Sequence, residues 1–259
     1  MEISTVIGLI LGLGAMVGTM LIEGGNPLSL LNLPAAVIVF GGSAGALFVG
    51  FPLKQIMTLP VVIGQSFQAY KGDPLVLIEL FVKLADQARR DGLLSLEEEA
   101  RKIEDDFIKK GVMLIVDGVD PSVVHEVMET DTNLVSERHK EGLEMLKALG
   151  GFGPTMGIIG TVMGLINVLS HLSDPENLGH SIAVAFIATL YGVAIANILW
   201  LPMANKLKQK NQTEIMSREV AIQGVLAVQA GENPRIVREK LESFLAPKLR
   251  GKESGSGKE

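Results

Sequence analysis

Residues 150–203 read GGFGPTMGIIGTVMGLINVLSHL (150–172), SDPENLG (173–179) and HSIAVAFIATLYGVAIANILWLPM (180–203). The first and last of these pieces are apolar runs of roughly 20 residues or slightly more, the length that a helix needs to cross the hydrocarbon core of a bilayer. A short acidic connection joins them. The stretch therefore predicts a transmembrane helical hairpin, and the rest of the chain can be interpreted around it.

Apolar and polar blocks alternate along the whole chain. Of its 259 residues 47% are apolar and none is cysteine, which excludes a disordered chain and a disulfide-stapled secreted domain. The apolar blocks cover 3–22, 33–51, 150–172 and 180–203. This concentration is typical of membrane proteins. We predict an all-α integral membrane protein whose four transmembrane helices form two hairpins, 1–51 and 150–203.

The positive charges indicate on which side of the membrane each polar segment lies. All 23 lysines and arginines fall within 52–149 and 204–259, and the two short connections contain none. The positive-inside rule then predicts a cytoplasmic helical domain at 52–149, a cytoplasmic helical tail at 204–259, and both termini inside. The tail is expected to be disordered from about residue 251, because GKESGSGKE has the composition of a flexible linker.

Several classes of function are not supported by these residues. A net charge of −6 argues against nucleic-acid binding, and neither a zinc-type Cys/His spacing nor a phosphate-binding GxxxxGK occurs. His125 and Glu129 are four residues apart, but an isolated pair on a charged helix is a weak basis for a metal site. There is no nucleophile, histidine and acid set for an enzyme. We predict no metal site, no catalytic residues and no cofactor apart from a transported ion.

Small residues and two threonines occur in the predicted hairpin at 150–203. Glycines recur in the third predicted helix at steps of three and four, which places them on one face where another backbone can approach. The predicted helix-packing residues are Gly153, Gly157, Gly160 and Gly164. Thr161 shares that face, and the fourth helix carries Thr189 on a similar face of alanine and glycine.

No Asp, Glu, Lys or Arg occurs in the four apolar blocks. A charge at mid-membrane costs about 3 kcal/mol on the insertion scale and is kept chiefly for function. If the chain belongs to an ion-conducting assembly, another polypeptide must supply the ion-binding acid. Thr161, Thr189 and Tyr191 are then the candidate ion-pathway residues. The alternative is that each threonine bonds its own preceding turn.

Two prolines lie near the predicted cytoplasmic ends of the helices in the 150–203 hairpin. Pro154 and Pro202 each remove a backbone hydrogen bond and permit a kink or hinge. Paired kinks at one membrane surface would suit a helix bundle that moves.

Capping signals divide the polar segments into helices. Asp73 and Asp120 each precede a proline that suits the first helical turn. Helices are predicted from Pro74, from Ser95 through Ile103, Phe107 and Ile108, from Ser122 directly into the third crossing, near 217–228, and after Pro234.

Charged residues surround the corner formed by ARRDGLLSLEEEARK, residues 88–102. The candidate docking residues are Arg89, Arg90, Glu97 and Glu98. The alternative is a solvated surface whose cations end one helix and whose acids begin the next, an arrangement that the helix dipole favours. The charges alone identify no partner.

Several motifs together resemble the MotA/PomA family, the four-helix subunit of the bacterial flagellar stator. In the order of that family they are EGGNP (23–27), ARRDGLLSLE (88–97), VDG (116–118), PTMGIIGTVMGLI (154–166), ATLYG (188–192) and LPMANKLK (201–208). The TolQ/ExbB subunits are less similar, because they have three crossings and lack the N-terminal hairpin.

The resemblance implies an ion-powered rotary motor in the bacterial inner membrane. In the family, five copies surround a dimer of MotB/PomB chains whose aspartate binds the ion, and the cytoplasmic domain pushes on the rotor protein FliG. By motif position Arg89 and Glu97 match the rotor-facing charges. Pro154 and Pro202 match the prolines that couple ion flow to movement.

The resemblance also bears on the ion. Thr161 stands where sodium-using members have threonine and many proton-using members have alanine, and Thr189 stands at the family's other pore threonine. We therefore expect sodium, with the proton as the alternative. Two further alternatives are a TolQ/ExbB-like motor for an envelope process and a membrane scaffold that conducts no ion.

Overall fold

The structure, a computed structural model, describes residues 2–68, 72–170, 175–247 and 250–251, with the backbone alone for 175–177 and 180. Every regular element among these residues is helical. The helices are α1 (Ile3–Ile22), α2 (Leu33–Gly50), α3 (Leu59–Ser66), α4 (Pro74–Asp91), α5 (Leu96–Lys102), α6 (Asp106–Val116), α7 (Pro121–Ser170), α8 (Pro175–Ile195), α9 (Leu201–Gln229) and α10 (Pro234–Glu242). Shorter helical turns lie at Pro27–Leu30, Leu53–Ile56 and Leu93–Ser95. The predicted disordered end, beyond residue 251, lies outside the described residues.

Four helical segments are long and apolar enough to cross a membrane. They are Ile3–Ile22, Leu33–Gly50, Pro121–Ser170 and Ser181–Gln229. The predicted all-α membrane protein with four spans is therefore confirmed. The second span contains a π turn at Val37–Gly41, and a second π turn at Ala196–Trp200 joins α8 to α9.

The two longest helices run well past their apolar parts. α7 is continuous from Pro121 to Ser170, as the sequence predicted for the segment leading into the third crossing. The helix predicted near 217–228 is confirmed, and it is part of a longer one, because the fourth span continues as α9 to Gln229. Residues 203–223 contain neither glycine nor proline, so nothing in the sequence ends the helix there.

The described residues divide into two compact units. The membrane unit contains those of 1–69 and 139–209, and the polar unit contains those of 70–138 and 210–259. The predicted borders between membrane and cytoplasmic segments, after residues 51, 149 and 203, stay predictions.

The membrane unit buries few of its large side chains. No residue of α1 is buried, and Val49 in α2 is 91% exposed. Among its described residues, the larger of two small buried clusters contains Leu143, Leu146, Met203 and Ala204. Outward-facing apolar side chains are expected where lipid rather than water surrounds the helices.

The polar unit has a conventional apolar core. Phe81 of α4 is fully buried, and a Cβ added to Gly224 of α9 would lie 2.4 Å from its ring. The Arg218 guanidinium lies 4.5 Å from the centre of the Phe107 ring, a cation–π contact. The Phe81 ring therefore packs against a glycine, and the Phe107 ring packs against a cation.

Two of the predicted helix starts are confirmed, and one helix is corrected. Asp73 accepts a hydrogen bond from the Leu75 amide at 2.9 Å, and Asp120 accepts one from the Ser122 amide at 2.8 Å. The prediction of a single helix from Ser95 through Ile108 is wrong. Instead, α5 ends at Lys102, where Ile103 becomes extended, and Asp105 caps α6.

Candidate functional site

The third and fourth spans meet through glycine and alanine. A Cβ added to Gly157 would lie 2.9 Å from the Ala188 carbonyl oxygen, and one added to Gly192 would lie 2.3 Å from the Gly153 carbonyl oxygen. Backbone therefore touches backbone, which only residues without large side chains permit. Gly160 and Gly164 face the methyl groups of Ala188 and Ala185. All four predicted packing glycines thus face α8.

Thr161 and Thr189 place their hydroxyl groups in contact with each other inside this interface. The Thr161 Oγ1 lies 3.1 Å from the carbonyl oxygen of Gly157 and 3.0 Å from that of Ala185. The Thr189 Oγ1 lies 3.4 Å from the same Gly157 oxygen. Thr161 therefore bonds its own preceding turn, as the alternative held, and also reaches the other helix.

Four oxygens converge at this threonine pair: two hydroxyls and two carbonyls. Each hydroxyl has a carbonyl within reach to accept its proton, which leaves hydroxyl lone pairs for another donor or for a cation. No carboxylate lies in the four apolar blocks of the chain. The arrangement can supply part of a coordination shell but not the compensating charge.

Tyr191, the third predicted ion-pathway residue, has a different environment. Its hydroxyl donates to the Leu30 carbonyl and accepts from the Asn32 amide at 3.1 Å. Its ring lies 6.2 Å from that of Phe40. The structure does not bring Tyr191 to the threonine pair, and it ties α8 to the connection between the first two spans. Its place in the ion pathway stays a prediction that this geometry does not support.

The two prolines occupy different surroundings. Pro154 lies inside α7 without ending it, and its Cα would be 3.2 Å from a Cβ at Gly192. Because proline has no amide proton, the Gly150 carbonyl loses its usual partner in the helix. Pro202 follows the π turn at Ala196–Trp200 and faces α1 across a cavity. Of the two prolines, therefore, only Pro202 lies beside an irregular helical turn.

The charged corner divides into paired and unpaired side chains. Arg90 forms an ion pair with Asp86 at 2.8 Å, and Glu97 forms one with Arg101 at 2.7 Å. Arg89 and Glu98 are exposed and have no ion pair or hydrogen bond within the described residues. Arg89 and Glu98 are therefore the members most available to a partner.

Glu99, next to these residues, is held by two lysines. Hydrogen bonding and charge from Lys102 lower the pKa of Glu99, with a smaller effect of Lys83, whereas Glu99 raises the pKa of Lys102. Gly92 forms the corner with φ of 82°, a value that favours glycine. The Ser95 hydroxyl donates to the Gly92 carbonyl at 2.7 Å.

Sequence reasoning missed one polar cluster of the membrane unit. Lys206 forms an ion pair with Glu2 and donates to the hydroxyls of Ser4, at 3.1 Å, and Thr5. The available signal was a cation and an anion placed just outside two predicted spans. His125 and Glu129 lie 3.5 Å apart, and among the described residues no group of three or more metal-ligand side chains occurs.

Comparison with known proteins gives consistent matches over nearly the whole chain. The sequence model of the "MotA/TolQ/ExbB proton channel family" matches residues 99–220, and that of "Motility protein A N-terminal" matches residues 6–92. Motility protein A of Bacillus subtilis is 36% identical over 99% of this chain and 96% of its own length. Chemotaxis protein PomA of Vibrio alginolyticus is 36% identical over 95% of this chain and 96% of its own length.

A solved structure is similar as well. A chain of the flagellar MotAB stator complex from Bacillus subtilis has a TM-score of 0.89 and 36% identity, covering 95% of this chain and 96% of that chain.

Proposed function

This chain belongs to the MotA/TolQ/ExbB family, and on that premise we propose that it is the four-span subunit of a bacterial flagellar stator, a motor component and not an enzyme. The family resemblance of its motifs is confirmed. The match of residues 6–92 to the N-terminal region of motility protein A favours a flagellar role over a TolQ/ExbB-like envelope motor. It also argues against a scaffold that conducts no ion.

A MotB-type partner completes the proposed machine. The similar solved complex contains MotA together with MotB, and the four apolar blocks of this chain contain no acid. We propose that five copies surround a MotB/PomB-like dimer whose aspartate binds the ion. Ion binding to that aspartate, followed by release inward, then steps the ring around its axis.

The contact between Thr161 and Thr189 carries the proposal for the ion pathway. Two hydroxyl oxygens and the Gly157 and Ala185 carbonyls lie together at a glycine-lined interface. Hard cations prefer such oxygen ligands, whereas a proton needs no multi-oxygen shell. Sodium is therefore the proposed ion and the proton the alternative. Pro154, packed against Gly192, is the proposed point where movement of α8 reaches α7.

Swimming of a host that depends on this chain and its partner tests the ion. With sodium coupling, speed rises with sodium concentration and persists when a protonophore collapses the proton gradient. Thr161→Val and Thr189→Val should each reduce the speed, and Thr161→Ser, which keeps the hydroxyl, should retain most of it. Swimming in sodium-free medium that a protonophore stops would establish proton coupling instead.

The charged corner is the proposed docking site for the rotor protein FliG. Arg89→Glu and Glu98→Lys reverse exposed charges without breaking an ion pair within the described residues, so folding should be unaffected while torque falls. Arg90→Glu would in addition break the ion pair with Asp86, and Glu97→Lys the ion pair with Arg101, so these two variants are less specific tests. Torque measured on tethered cells that stays normal in both Arg89→Glu and Glu98→Lys would count against this docking site.

The proposed location is the bacterial inner membrane, with both termini and the polar unit in the cytoplasm. The chain has no cysteine, so labelling of a single introduced cysteine shows on which side of the membrane that residue lies. Ser29→Cys, between the first two spans, should react in intact cells with a membrane-impermeant maleimide. Ser243→Cys should react only after the cells are opened, and the reverse pattern would invert the topology.

A further inference from the structure

We propose that the membrane unit binds the headgroup of phosphatidylethanolamine in a cavity between α1 and the fourth span, with Lys206, the ion-pair partner of Glu2, at its polar end. The cavity has a volume of about 370 Å³, within the range of about 300–1,000 Å³ that small-molecule sites occupy. Its lining comes from α1 and from residues 197–206. The proposal does not depend on the ion or on the rotor partner.

The lining changes from polar to apolar along α1. Ser4 and Thr5 line one end, and Gly8, Leu9 and Gly12 follow on successive turns into the span. Opposite them, Lys206 marks the polar end and Ile198 the apolar part. A phospholipid has the same order, with a charged headgroup above an acyl chain. The cavity therefore matches a lipid in both polarity and direction.

The cavity exists because α1 touches the fourth span over a narrow contact. A Cβ added to Gly12 would lie 3.0 Å from Ile198 Cγ2, whereas one added to Gly8 would meet nothing within 4 Å. No residue of α1 is buried. Asn197, at the deep end, donates to the carbonyl of Val193 in its own helix at 2.9 Å. An acyl chain beside Gly8 would fill apolar space without displacing protein.

The charges at the polar end favour a zwitterionic headgroup. Lys206 and Glu2 form a neutral pair whose side chains are 21% and 26% exposed, so an anionic lipid would gain one contact and meet repulsion at the other. Phosphoethanolamine offers a phosphate to Lys206 and an ammonium donor to Glu2. A phosphate oxygen is a stronger acceptor for Lys206 than the Ser4 and Thr5 hydroxyls it now reaches. Phosphatidylcholine lacks the ammonium protons and cannot donate.

Native mass spectrometry of the full-length chain, purified in the assembly it forms and stripped of lipid, tests the site. Phosphatidylethanolamine, phosphatidylcholine and phosphatidylglycerol with identical acyl chains are added in competition. We expect phosphatidylethanolamine to bind about tenfold more tightly than phosphatidylcholine, the difference that charge-assisted hydrogen bonds typically make. Preference for phosphatidylglycerol, equal binding of all three, or no retained lipid would overturn the proposal.

Two matched pairs of variants locate the site. Gly8→Leu places a side chain in the cavity and should abolish the preference, whereas Gly14→Leu, on the same helix outside the lining, should keep it. Lys206→Met should lose the preference, whereas Lys208→Met, which removes an exposed lysine of the same helix, should keep it. If Gly8→Leu and Lys206→Met bind phosphatidylethanolamine as the unmodified protein does, the cavity is not the site.

Discussion

At the most crowded glycine of the membrane unit, helix packing brings two backbones together, because a Cβ added to Gly192 would lie only 2.3 Å from the Gly153 carbonyl oxygen. In the polar unit the corresponding close contact joins a backbone to a ring, at Gly224 and Phe81. Both places require glycine. The reason differs, because in one unit glycine admits another main chain and in the other it admits a large apolar side chain.

The difference follows from the solvent around each unit. Lipid is as apolar as leucine, so burying large side chains between spans gains little, and close backbone packing and polar contacts hold the helices together. Water around the polar unit makes burial of Phe81 favourable. A motor whose spans meet at small flat surfaces can change their contacts without unpacking a core. The following substitutions test this comparison.

Gly192→Val should have the largest effect. The new Cβ would overlap the Gly153 carbonyl and approach Pro154, and neither is the flexible end of a side chain. Overpacking against backbone should cost more than about 4 kcal/mol and abolish assembly and swimming. Gel filtration and swimming speed of cells measure the two losses.

Gly45→Val is the matched control for that substitution. Gly45 also lies in a predicted span, and a Cβ there meets nothing within 4 Å. The intrinsic helix propensity changes equally in both variants. If Gly45→Val were as damaging as Gly192→Val, the close backbone contact would not be the cause.

Phe81→Ala should produce the largest effect in the polar unit. Phe81 is fully buried, and removal of such a ring typically costs about 3–5 kcal/mol. Hydrogen exchange of the α4 amides in the full-length protein, followed by mass spectrometry, measures the loss. The Thr161 to Thr189 interface should keep its protection, because the two contacts belong to separate units.

A second substitution checks that Phe81 and Gly224 act together. Gly224→Ala alone would push a methyl into the ring, at about 1–3 kcal/mol. Combined with Phe81→Leu, which vacates part of that space, it should cost less than the two single losses added. Strict additivity would show that the ring does not press on Gly224.

The sequence predicted the spans well because their determinants are local. A run of apolar residues and the spacing of Gly153, Gly157, Gly160 and Gly164 are visible without knowledge of their neighbours. The break at Ile103 was missed because the capping of α6 by Asp105 competes with a continuous apolar stripe that suits one helix equally well.

Long-range polar contacts could not be predicted from spacing. Tyr191 reaches Leu30, which is 161 residues away in sequence, and Lys206 reaches Glu2. From the sequence alone, a hydroxyl in a span can equally be an ion ligand or a hydrogen-bonding group that joins two segments of the chain. Only the neighbouring residues in the structure distinguish the two roles. The same holds for Thr161, whose contact with Thr189 depends on how two spans pack.

Tyr191→Phe should have a smaller effect, confined to one place in the membrane unit. It removes the hydroxyl that accepts a hydrogen bond from the Asn32 amide at 3.1 Å. The expected loss of stability is about 1 kcal/mol. Exchange of the Asn32 amide should become about fivefold faster, while the sodium dependence of swimming stays the same. An altered ion dependence would instead place Tyr191 in the ion pathway.

Glu79→Gln should have the smallest effect and the only one that depends on pH. Arg238 donates two hydrogen bonds of 2.6 Å to the Glu79 carboxylate, and these bonds lower its pKa. Because both side chains are about one-third exposed, the pair should contribute about 0.5–1 kcal/mol. A glutamate whose pKa is lower in the folded state stabilises it above the ordinary pKa and loses that contribution as pH falls through the lowered value. The exchange rates of α4 in the variant and the unmodified protein should therefore differ at pH 7 and converge in acid.

Glu239→Gln provides the control on α10, the helix that carries Arg238. Glu239 is exposed, so its substitution should leave the α4 exchange rates unchanged at every pH. Taking the ratio of rates in two proteins at the same pH cancels the intrinsic pH dependence of exchange. A difference between Glu79→Gln and the unmodified protein that persisted undiminished in acid would mean that shape, not the charge of the carboxylate, holds α10 against α4. In that case packing would hold α4 and α10 together, as it does the third and fourth spans at Gly153 and Gly192.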